Sequence, residues 1–204
     1  MEILQKTKDT LVLEALSKAI PYKTYRDLVA QHAANETSTG EDQTEALSEY
    51  TQLNNARMKR LDKTLIPSEA VVNSLKNTTK KQTWIVLTES WCGDAAQSMP
   101  AMNIIASLVP SIGLKVLLRD ENLEVMDAFL THGGRSIPKL ILFDTESQKV
   151  VGDWGPRPSE ATELVNQYKT DHGALSPEFK KDLQLWYTKD KGQNIFKDLA
   201  DLIV

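Results

Sequence analysis

Four short β-rich runs, spaced so that helical patterns fit between them, constrain this chain more than any other feature. They are 83–88 (TWIVLT), 114–118 (LKVLL), 139–143 (KLILF) and 150–154 (VVGDW). Helical patterns fill 92–109 between the first pair and 123–131 between the second pair, and 159–170 follows the fourth run. A crossover helix lets two strands lie parallel and covers one face of their sheet, so this order predicts a layered α/β domain. The connection 144–149 is short, which suits an antiparallel hairpin. The expected core is a mixed central sheet flanked by helices.

On either side of that core the chain is polar and helical. Leu11, Leu13, Leu16 and Ile20 predict one amphipathic helix, stopped near Pro21. A second is predicted over 23–34, and 35–40 (NETSTG) reads as a turn. A third follows over 41–64, with the apolar stripe Ala46, Leu47, Tyr50, Leu53, Met58, Leu61 and Leu65. Arg57, Lys59, Arg60 and Lys63 crowd its C-terminal half, either as a solvated face well placed on the helix dipole or as a ligand or partner surface. Near the other end, Phe179, Leu183, Trp186 and Tyr187 form one stripe and Ile195, Phe196, Leu199, Leu202 and Ile203 another. Both read as packing surfaces. The expected division is a helical extension over 1–65, the α/β domain over 66–170, and a helical tail over 171–204 packed on it.

The charge balance excludes some functions. Twenty-four Lys and Arg against 28 Asp and Glu give a net charge of -4, which offers no electrostatic ground for nucleic-acid binding. The apolar run Leu11-Val12-Leu13 ends at Glu14, far short of the ~18 residues of a membrane span and unlike a signal peptide. A cytoplasmic protein is expected, with no membrane or nucleic-acid partner. A single cysteine, Cys92, excludes a disulfide within the chain and a multi-cysteine zinc site. His32, His132 and His172 are scattered and no HExxH pattern occurs, so no metal or bound cofactor is expected.

Cys92 lies in Glu89-Ser90-Trp91-Cys92-Gly93-Asp94-Ala95, where a β run gives way to a helix. Free N–H groups and the dipole at a helix start favour an anion, so the thiol pKa is predicted to fall. Trp91 would shield the sulfur on one side. The competing reading is a small, inert core residue.

At these residues the chain resembles the thioredoxin superfamily, whose Trp-Cys-x-x-Cys motif opens a helix after a central strand. Trp91, Cys92 and Gly93 match its first part, and Pro100 stands where the family helix carries a proline. Gly134-Arg135-Ser136-Ile137-Pro138, before a β run, resembles the family's cis-proline segment. The resemblance spans about 71–168 and includes 114–120 as the intervening strand. It implies a thioredoxin-like fold, with Pro138 facing Cys92 and Ile137 offering backbone groups to a substrate chain.

The chain also departs from the pattern. Ala95 stands where the resolving cysteine belongs, and Val86 where dithiol members keep a buried aspartate. Asp94 either raises the thiol pKa by its charge or caps the helix, and capping or first-turn dipole stabilisation is favoured. A peroxidatic site is rejected, because Ile85 and Glu89 replace its upstream Pro and Thr. Arg135 is expected near the thiolate, where it either lowers the thiol pKa, pairs with a small thiol's carboxylate, or remains a solvated loop charge. His132 is read as a last-turn helix residue before a glycine cap, and Trp154 as core rather than rim.

Two functions follow as expectations. One is a monothiol thiol–disulfide oxidoreductase with Cys92 catalytic and Trp91, Ile137, Pro138 and Arg135 binding substrate. Its partner would be a protein or small-thiol mixed disulfide, and a low-molecular-weight thiol would be its co-substrate. The other is a redox-inactive binding module for a peptide or protein. A Cys92–Cys92 bridge between two chains is a third, disfavoured in a reducing compartment.

Overall fold

Residues 6–76 and 78–203 are described by the structure, a computed structural model. Its sheet is centred on β2 (Gln82–Thr88). β2 runs parallel to β3 (Ile112–Leu118), with Val86 opposite Val116, and antiparallel to β4 (Lys139–Asp144), with Val86 opposite Leu140. β4 returns through a hairpin to β5 (Lys149–Trp154), with a register shift at Leu142/Phe143. Trp84 to Thr88 and Lys139 to Phe143 are all buried, because helices cover both faces of the middle strands.

A fifth strand, β1 (Ile20–Pro21), completes the order β1-β3-β2-β4-β5 and pairs Ile20 with Val116. The first helix, α1 (Lys8–Ala15), therefore stops before Ile20 rather than reaching Pro21. Proline lacks the N–H a central strand needs, so an edge pairing of two residues is the strand it tolerates.

α2 (Tyr22–Ala34) follows at once and packs on α3 (Glu45–Thr64). α4 (Glu69–Leu75) was not anticipated, although Ser68 caps it by accepting the Val71 N–H. α5 (Gly93–Leu108) leaves the end of β2, and α6 (Leu123–Ala128) follows β3. α6 ends before His132, because the chain turns to bury Phe129. His132 instead has a left-handed φ of 49° in a tight turn before Gly133, so it is not a last-turn helix residue.

α7 (Ser159–His172), α8 (Pro177–Asp190) and α9 (Gln193–Asp201) complete the chain. α3 and α9 both pack on α5, the helix that begins at the cysteine, and α1 lies against α6 and β5. Ile195, Phe196 and Leu199 are buried, each worth about 1.5–3 kcal/mol of apolar transfer.

The apolar stripe of α3 holds at Met58 and Leu61 but not in the first half of the helix, which turns a polar face inward. Ser48, Thr51, Asn54, Met58 and Leu61 are buried, while Tyr50 and Leu53 stay half exposed. Thr51 and Asn54 of that face have a partner in Ser90, in the loop before α5.

Candidate functional site

Register brings the site together. Leu87 near the end of β2 pairs with Lys139 at the start of β4, so the residues just before Lys139 stand beside those just after β2. Cys92 is the N-cap of α5, and its Sγ accepts the Ala95 N–H at 3.4 Å. The thiol donates to the Ile137 carbonyl oxygen at 3.3 Å, and the Ile137–Pro138 peptide is cis. Trp91, partly buried beside it, carries the Arg119 guanidinium over its ring at 5.0 Å.

Burial decides the ionisation of the sulfur. Cys92 is only 7% exposed, and burial followed by the Asp94 charge pushes its pKa from 9.0 up to about 12. The Ala95 and Asp94 N–H groups and the Arg157 charge pull the other way and lose. The predicted fall is therefore reversed. A helix terminus contributes about 0.3–1 kcal/mol, whereas full desolvation moves a pKa by as much as 3–5 units, by rough measure.

Asp94 does not cap the helix, because the Cys92 sulfur holds that position. Its carboxylate pairs with Arg157 at 2.6 Å and accepts the Tyr187 hydroxyl at 3.1 Å. Burial raises its pKa, opposed by Arg157, Tyr187 and Arg57. Arg57 reaches this turn from α3, lying against Gly93 and donating to Asn54 Oδ1 at 2.8 Å. Tyr25, from α2, is fully buried, and burial followed by the Cys92 charge raises its pKa.

Of the readings of Arg135, the geometry gives the solvated loop charge. Its guanidinium forms a forked pair with Asp127 at 2.6 and 2.8 Å, on the surface. The cation acting on the sulfur is Arg157, in the loop after β5. That loop is anchored at Gly155, whose φ is 120° and where any Cβ would run into the Pro138 carbonyl. The run Gly155-Pro156-Arg157-Pro158 was a legible turn signal, but nothing local marks Arg157 as the partner of Asp94.

The loop before the cysteine is held by the N-terminal helices. Ser90 Oγ bonds Thr51 Oγ1 at 2.8 Å and accepts the Thr39 N–H at 3.0 Å. The Ser90 N–H donates to Thr39 Oγ1 at 2.8 Å, and Asn54 Nδ2 donates to the Ser90 carbonyl at 3.0 Å. Glu89 is fully buried, accepts the Asp120 N–H at 2.9 Å, and has its pKa raised chiefly by burial. Trp154 is partly buried against the core and donates its indole N–H to Asp198 of α9 at 3.3 Å. Among the described residues, no group of three or more His, Cys, Asp or Glu side chains forms a metal cluster, and no helix is long and apolar enough to cross a membrane.

Comparisons with known proteins agree on the architecture. A crystal structure of a protein of unknown function from Pseudomonas aeruginosa is 16% identical with a TM-score of 0.54, over 76% of this chain and 84% of that one. An HIV epitope-scaffold is 17% identical with a TM-score of 0.56, over 90% of this chain and 97% of that one. At these identities the likeness is one of fold. No curated protein matches. The profile of a family described as thioredoxin matches residues 40–169. That match covers well over half of the chain, including α3 and the whole of the β2–α5 junction, and so this chain belongs to the thioredoxin family.

Proposed function

We propose that the chain is a monothiol thiol–disulfide oxidoreductase acting through Cys92. The carrying observation is the Cys92 sulfur at the N-terminus of α5, facing the Ile137 carbonyl at 3.3 Å. As a thiolate it attacks a disulfide, forming a bond from Cys92 to one sulfur and releasing the other as a thiolate that takes a proton from water. Ala95 cannot resolve the mixed species, so an external low-molecular-weight thiolate attacks its other sulfur, forming a new disulfide with that sulfur and releasing the Cys92 thiolate. Trp91, Ile137 and Pro138 line the approach for a protein or small-thiol disulfide. A reducing compartment such as the cytoplasm suits a thiol of this kind.

A second reading has its own support. A buried thiol with its pKa near 12, already donating to the carbonyl that a substrate backbone would use, favours a redox-inactive binding module. A thiol–disulfide exchange assay on wild type and Cys92→Ser separates the two. Loss of exchange in a folded Cys92→Ser chain supports the oxidoreductase. Equal rates in both chains point to binding alone.

A further inference from the structure

Beside Cys92 stands a cation whose hydrogen bonding is incomplete. Arg157 gives Nη2 to Asp94 at 2.6 Å, but its Nε is buried without a partner. A buried donor left unpaired is costly and calls for a reason. Its position is not loose. Gly155 packs against the Pro138 carbonyl, so Arg157, two residues on, spans from the proline loop to the first turn of α5. The charged and titratable groups around the sulfur and Asp94 are Glu89 before the cysteine, Tyr25 of α2, Arg57 of α3, Asp94 of α5, Arg157 after β5, and Tyr187 of α8. Arg57 and Arg157 both act on the one carboxylate of Asp94, and Arg157 also favours the charged form of Cys92.

Resting on the nucleophile reading above, we propose that Arg157 is a positioning residue that stabilises the Cys92 thiolate, and that Asp94 restrains it by competing for the same guanidinium. Neutralising or withdrawing Asp94 then releases Arg157 to the sulfur. This makes Asp94 and Arg157 the adjustable part of the site, and leaves Arg135 outside it.

The test is the pH dependence of Cys92 alkylation by iodoacetamide, in which a carbon–sulfur bond forms and iodide leaves. The key pair is Asp94→Asn and Asp94→Asn/Arg157→Met, since the second removes both charges and strands neither; circular dichroism checks that each is folded. Asp94→Asn is expected to alkylate about tenfold or more faster than wild type near pH 8, the equivalent of about one pKa unit. Adding Arg157→Met should cancel part of that gain, and adding Arg157→Lys should cancel less, because the charge is kept. Equal acceleration with and without Arg157, or no alkylation in either variant, overturns the proposal. If the alkylation pattern holds but Asp94→Asn forms no mixed disulfide with a small disulfide, the oxidoreductase reading fails while the role of Arg157 stands.

Discussion

At the scale of single residues, the fate of Cys92 turns on two opposed effects of unequal size. Its helix-start position favours the thiolate, but burial disfavours it more, and the pKa rises to about 12 from 9.0. The folded chain therefore keeps a proton that the unfolded chain loses above pH 9. Stability should fall as pH rises from about 9 towards 12, by up to about 1.4 kcal/mol per pH unit from this group. Urea midpoints across that range are expected to fall less steeply in Cys92→Ala than in wild type, since Tyr25 and Tyr187 remain in both. Arg135→Ala, by contrast, removes an exposed, solvent-screened ion pair, so the urea midpoint should be nearly unmoved and Cys92 alkylation unchanged. Trp91 and Cys92 were legible from the strand-to-helix change around them, and Ile137 and Pro138 from the resemblance of their segment to the family's proline loop. Arg157 was not, because its meaning comes from Asp94, a partner distant in sequence and brought near only by the packing of Gly155 on Pro138.

At the scale of elements, α3 shows why the period of apolar residues is an incomplete guide. Its Thr51 and Asn54 are fully buried because Ser90 satisfies them, while Tyr50 and Leu53, on the expected inner stripe, are 52% and 50% exposed. A sequence pattern counts apolar side chains and cannot see a polar partner waiting in another loop. Asn54→Leu should strand both the Ser90 carbonyl and the Arg57 guanidinium, costing about 1–3 kcal/mol in chemical denaturation. Leu53→Ser on the same helix should stay within about 0.5 kcal/mol. The strands were easier to read, because β2 and β4 are buried on both faces and so appear as unbroken apolar runs. β1 escaped notice because two residues ending in proline carry no period at all.

At the scale of the whole molecule, the helices outside the sheet are part of the site. α3 supplies the partners of Ser90 and places Arg57 at the first turn of α5, and α8 supplies the Tyr187 hydroxyl to Asp94. α9 closes the far side of α5 with Ile195, Phe196 and Leu199. Leu199→Ala should cost about 2–5 kcal/mol by thermal or urea unfolding, as in any well-packed core. The mixed sheet, its hairpin and the helix-start cysteine followed from the chain's own pattern, whereas the edge strand β1 did not. The enclosure of that cysteine did not, because it depends on tertiary contacts between its two ends and its middle. The most direct test of Cys92 as a nucleophile is intact-mass analysis of the native chain after incubation with glutathione disulfide. A mixed disulfide on Cys92, absent in Cys92→Ser and reversed by excess small thiol, is the predicted result. A native chain that stays unmodified while the urea-unfolded chain is labelled would contradict it.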